Sequence, residues 1–120
     1  MIIIDTNIVL RYLLNDNELL SNEAARIIDN NDFFIPTEVI VEACYVLVKV
    51  YKVEKKKIYN VIKQFIDMEG VYFQNKETIK LAFKTYSENN IDIVDSILYA
   101  YEKYKVKTFD KKLNNLIRNN

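Results

Sequence analysis

Short apolar runs alternate with longer stretches of helical periodicity along the whole chain, and this alternation limits the fold more than any other feature. The runs fall at residues 2–4, 33–35 and 71–73, each short and continuous where an amphipathic helix would be long and periodic, and Val106 to Phe109 reads as a fourth strand. A strand that is apolar at successive positions is buried on both faces, as in a parallel sheet covered by helices. Between the runs, apolar residues recur every three or four positions. Ile8, Val9, Tyr12 and Leu13 follow the first run. Ala24, Ala25, Ile27 and Ile28 mark a second helix, with Ser21 as its N-cap and the Asn30-Asn31 turn at its end. A third helix over residues 37–51 opens after Pro36 and is the most apolar. Ile58, Val61, Ile62, Phe65 and Ile66 line one face of a fourth over residues 55–69, which Gly70 stops. Further helices are predicted at residues 77–88 and 93–104, and Asp110 opens a closing helix through Leu113, Leu116 and Ile117. Such alternation predicts an α/β domain with a mainly parallel central sheet of about four strands and helices on both faces. No repeat, low-complexity tract or linker divides the 120 residues, so one domain over residues 1–120 is expected.

Composition then narrows the chemistry. The chain has no histidine, one cysteine and one glycine. Without histidine there is no Ser-His-Asp or Cys-His site and no imidazole acid–base catalysis. Ordinary zinc sites go as well, because a lone thiol cannot supply them. A single glycine excludes the Gly-rich phosphate loop and the dinucleotide fingerprint. Cys44 lies in an apolar helical pattern and reads as a buried core thiol in a reducing compartment. No apolar run reaches the ~18 residues of a membrane span. The amino terminus lacks a basic n-region and a small-residue cleavage site, so no signal peptide is expected and a cytoplasmic location is. Net charge is zero, which leaves only local patches to attract nucleic acid. Any chemistry therefore falls to carboxylates, lysines, hydroxyls and a hard metal.

Four acids stand at telling positions. Asp5 ends the first predicted strand and Asp110 the last, and ligands of an open parallel sheet bind beyond those strand ends. Both residues also precede helices, where aspartate is a favoured N-cap. Glu42 lies three residues from Val39 and four from Val46, on the apolar side of the third helix, where an isolated carboxylate is costly without a partner or a metal. Glu38, one turn earlier, suits the helix dipole. In Ile91-Asp92-Ile93-Val94-Asp95-Ser96-Ile97-Leu98, Asp92 is placed to cap the helix, leaving Asp95 without an obvious structural task. Oxygen ligands alone point to Mg²⁺ or Mn²⁺, and clustered carboxylates holding such ions hydrolyse phosphodiesters.

Asp5-Thr6-Asn7 after an apolar strand, Glu42 in a third helix, Asp95 in an Ile-Val-Asp-Ser-Ile-Leu helix and Thr108-Phe109-Asp110 near the end resemble a PIN domain. Length and spacing are similar to the VapC-like toxins of bacterial and archaeal toxin–antitoxin pairs. The resemblance runs over nearly the whole chain and implies a three-layer α/β/α fold. It implies a Mg²⁺- or Mn²⁺-dependent endoribonuclease whose acids are Asp5, Glu42, Asp95 and Asp110. Asn7 and Thr108 match positions that orient those acids, and Arg11 matches a position that is often basic. A small VapB-like antitoxin that occupies the site, a toxin homodimer and a larger assembly are implied too.

Two basic clusters flank these motifs: Lys49, Lys52, Lys55, Lys56 and Lys57, then Lys103, Lys105, Lys107, Lys111 and Lys112. Each reads either as a solvated face or as phosphate contact, since an acidic site repels RNA unless cations stand nearby. Tyr51, Tyr59, Tyr101 and Tyr104 interleave with them and suit core packing or stacking on unpaired bases. Two other classes compete with the nuclease. One is a non-catalytic α/β interaction module whose acids are merely caps. The other is a phosphotransfer domain with Asp5 as nucleophile, against which Asp5-Thr6-Asn7 lacks a second aspartate two residues on.

Overall fold

The computed structural model of the chain describes residues 1–14, 18–101 and 106–119. The described residues form β1 (Ile2–Ile3), α1 (Thr6–Leu14), α2 (Glu18–Asp29), β2 (Phe33–Ile35), α3 (Thr37–Lys49), α4 (Lys55–Ile66), β3 (Val71–Phe73), α5 (Lys76–Glu88), α6 (Ile93–Ala100) and α7 (Lys111–Arg118). The strands lie in the order β1-β2-β3 and both pairs are parallel, with Ile2 opposite Phe33 and Phe33 opposite Val71. Parallel neighbours need a crossover, and paired helices supply it each time: α1 and α2 between β1 and β2, α3 and α4 between β2 and β3. Helices α1 and α3 pack together while α4, α5 and α6 pack in succession, giving the expected three-layer α/β/α arrangement.

Because the sheet is parallel, every strand delivers the chain to the same edge. β1 runs into Asp5 and α1, β2 into Pro36 and α3, and β3 into Asn75, which caps α5 by accepting the Thr78 N–H at 3.0 Å. The core beneath that edge is aromatic as well as aliphatic. Phe65 of α4 lies between Tyr12 of α1 and Phe33 of β2, with ring centroids 5.4 and 5.9 Å away. Phe33, Ile35, Ile40, Ile58, Ile62 and Ile66 are wholly buried around it.

Several boundaries differ from the sequence reading, each for a local reason. Residues 106–109 are not a strand. Their polar groups are committed to α7: Asn114 donates to the Thr108 carbonyl at 3.0 Å, and the Asp110 N–H donates to Thr108 Oγ1 at 3.0 Å. The described sheet therefore has three strands, and Phe109 stands fully exposed. Ser21 is not a cap, because α2 begins at Glu18 and leaves Ser21 buried inside the helix with its hydroxyl unpartnered. Helix α4 ends at Ile66 and α6 at Ala100, and residues 102–105 lie outside the described chain.

Gly70 does not stop α4, which ends at Ile66 with Asp67 as its C-cap; it forms the turn into β3 instead, and its conformation explains why. Its φ of 84° is left-handed, and its carbonyl accepts the Phe33 N–H at 2.9 Å. A Cβ there would meet Asp32 Oδ1 at 2.9 Å, but that oxygen ends an exposed side chain and moves cheaply. The backbone term decides, so Gly70→Ala is expected to cost about 1–2 kcal/mol in urea denaturation. An unchanged midpoint would show that the turn relaxes freely.

Candidate active site

Asp5 is exposed at the end of β1 with no loop before α1. Its Oδ1 accepts the Ile8 N–H at 3.1 Å and its carbonyl accepts the Val9 N–H at 3.3 Å, so strand and helix together hold its backbone. Asn7 is exposed on the first turn of α1 and Arg11 is half-buried one turn later.

Glu42 lies elsewhere than the sequence suggested. The buried stripe of α3 is Ile40, Ala43, Cys44 and Leu47, a spacing that passes Glu42 by and leaves it exposed. An exposed carboxylate keeps its water, so Glu42 needs no buried partner to offset desolvation. Its position is still informative. Glu42 lines a groove of about 460 Å³ between α3 and α6, shared with Glu38, Val41, Tyr45, Val94 and Ile97. The walls are largely apolar side chains and the rim carries two carboxylates.

Helix α6 enters this groove at a tightly bonded end. Asp92 is the N-cap, accepting the Ile93 N–H at 2.8 Å through Oδ1 and the Tyr45 hydroxyl at 2.8 Å through Oδ2. The Ser96 hydroxyl, wholly buried, donates to the Asp92 carbonyl at 2.9 Å. Asp95 occupies the first turn, half-buried. Burial raises its carboxyl above the ordinary 3.8, and the negative charges of Asp110 and Asp92 raise it further. Asp110 caps α7 by accepting the Leu113 N–H at 2.8 Å, and its own N–H donates to Thr108 Oγ1.

The structure thus brings Asp95, Asp110 and Asp92 into one electrostatic neighbourhood, while Asp5 and Glu42 belong to elements that start from the strand-end edge of the sheet. Among the described residues, no group of three or more acidic or cysteine side chains is arranged to hold a metal ion as it stands. The donor set nevertheless fits a hard divalent cation. It is all oxygen, and the repulsion felt by Asp95 is what a cation would offset.

Sequence reading missed Tyr45, whose only signal was its place one turn after Glu42, and misjudged Lys55, which is half-buried rather than solvated. Lys107, Lys111 and Lys112 are exposed, as are Tyr51 and Tyr101, while Tyr59 is half-buried. Lys103, Tyr104 and Lys105 lie outside the described residues. Cys44 is buried as expected, and that burial pushes its thiol up to about 11, far from a nucleophile's range.

The sequence-family model of the PIN domain matches residues 2–117. Among curated proteins, a "VapC ribonuclease" of Aquifex aeolicus (strain VF5) is 28% identical over 103 residues, covering 81% of this chain and 75% of that protein. No solved structure gives a significant match.

Proposed function

This chain belongs to the PIN-domain family, and from that premise we propose that it is a metal-dependent endoribonuclease, the toxin of a toxin–antitoxin pair. The observation that carries the reading is Asp95, half-buried on the first turn of α6 and within the field of Asp110 and Asp92, acids that offer oxygen donors only. The name of the Aquifex aeolicus relative, a ribonuclease, supports the substrate class.

In this reading Asp5, Glu42, Asp95 and Asp110 hold Mg²⁺ or Mn²⁺. Such an ion, when bound, would supply Lewis-acid stabilisation of charge on a phosphodiester and make a nearby water more acidic. The chain's own residues do the placing. β1 and the Ile8 N–H fix Asp5, Thr108 holds the Asp110 N–H, and Asn7 stands on the first turn of α1, two residues after Asp5. Arg11, Lys103, Lys105 and Lys107 supply positive charge for RNA phosphates. A small VapB-like antitoxin would inhibit by covering the acids, within a homodimeric toxin and a larger assembly in the cytoplasm. No helix of the described residues is long and apolar enough to cross a membrane. One domain over residues 1–120 would carry all of this.

A second reading, a non-catalytic interaction module, draws on the caps that Asp5, Asp92 and Asp110 do form. It also accommodates Glu42, which is exposed and needs no partner, and leaves the half-buried, first-turn Asp95 to be explained. Incubating the partner-free protein with single-stranded RNA separates the two. Cleavage is expected in Mn²⁺ or Mg²⁺ and is expected to stop in EDTA. Equal cleavage in EDTA would defeat the metal mechanism, and no cleavage in either would favour the module.

A further inference from the structure

We propose that Tyr45 and Lys55 are positioning residues for Asp95, acting through Asp92 and the turn that leads into α6. The inference rests on the reading of Asp95 as a metal-holding acid. Helix α6 has 8 residues, too few to be stable or well placed on its own propensity, so its start must be held from outside. Two neighbouring helices reach across to do so.

Lys55, the first residue of α4, donates from Nζ to the carbonyls of Asn89 at 3.0 Å and Ile91 at 2.7 Å. The same ammonium lies 4.2 Å from the ring centroid of the buried Tyr86. An ammonium drawn from water needs such partners, and here two loop carbonyls and an aromatic face supply them. That arrangement pins the backbone between α5 and α6. Tyr45 of α3 then grips the Asp92 carboxylate at 2.8 Å, while the other oxygen of that carboxylate caps Ile93. Asp95 follows within the first turn of the helix so fixed. Since Glu42 lies three residues before Tyr45, the Tyr45–Asp92 bond also sets how far the Glu42 helix stands from the Asp95 helix. A surface lysine and a groove tyrosine would need neither set of contacts.

Tyr45→Phe removes one hydroxyl and leaves the ring in the groove. Losing a group that orients a metal ligand typically costs 10–100-fold in metal affinity, so Mn²⁺ affinity by calorimetry should fall by roughly 10-fold. The kcat for RNA should drop while KM stays within about 2-fold, because the hydroxyl orients an acid and binds no RNA. Lys55→Met should move both quantities the same way, and Lys55→Arg, which keeps the cation, should recover part of the loss. The deciding variant is Tyr45→Phe combined with Asp95→Asn. If Tyr45 acts through Asp95, it costs nothing further in Mn²⁺ affinity on that background. An equal loss in both backgrounds, or no loss in the wild type, overturns the inference while leaving the metal reading standing. Wild-type protein that binds no Mn²⁺ overturns both.

Discussion

Asp5→Asn and Asp95→Asn are each expected to slow Mn²⁺-dependent RNA cleavage by roughly 10²- to 10³-fold while leaving the fold intact, since a metal-organised site contributes several kcal/mol to the transition state. Asparagine is the informative replacement here. It caps helices about as well as aspartate, so the bond from the Ile8 N–H to residue 5 survives the change. What disappears is the negative charge and the hard anionic ligand. Asp110→Asn follows the same logic, because the Leu113 N–H can be capped by an amide oxygen. Glu42→Gln, at an exposed position, should not disturb folding at all. Initial rates on a single-stranded RNA, with circular dichroism to verify the fold, measure the effect. Wild-type rates in Asp95→Asn would reduce that residue to an ordinary first-turn acid.

Legibility of the sequence followed the range of the forces involved. Helices were readable because their signal is local and repeated, as in Ile58, Ile62, Phe65 and Ile66 of α4. β2 was readable because burial on both faces leaves an apolar run with no polar phase, whereas β1 and β3 are apolar runs that the fold leaves partly exposed, Ile3 and Tyr72 among them. Residues 106–109 also read as a strand, but Thr108 and Asn114 divert the polar groups there into the α7 cap, and Asn114 lies beyond the stretch where no strand signal could show it. Asp5, Asp92 and Asp110 were legible as strand-end or cap acids, since position along the chain settles that much. Glu42 was misplaced because apolar neighbours at Val39 and Val46 sit at the edge of the buried stripe rather than in it. Nothing local could show that Tyr45 and Lys55 meet the turn before α6, 47 and 34 residues away in sequence.

Thermal melts with Mn²⁺ and with EDTA are expected to show Asp95→Asn changing stability in opposite directions. Burial, then the charges of Asp110 and Asp92, hold the Asp95 carboxyl above 3.8 in the folded protein. Below that value both folded and unfolded chains carry the proton and no cost arises. As pH rises through it the unfolded chain ionises first, and above the folded value the whole cost is present. At about pH 7.5 metal-free wild type therefore bears the full penalty, and Asp95→Asn bears none. The helix dipole works the other way, favouring a first-turn carboxylate by about 0.3–1 kcal/mol, but the net upward shift means burial and repulsion prevail. The mutant should thus melt higher than wild type in EDTA, with the gap closing as pH falls toward 3.8. A cation that binds only the folded chain adds about 2.7 kcal/mol at 100 times its dissociation constant. For a domain of this size that is roughly 10 °C in Tm, and the mutant should lose most of it. If Asp95→Asn instead melts below wild type in EDTA and keeps the full Mn²⁺ shift, Asp95 serves the dipole of α6 and the cation is held by other residues.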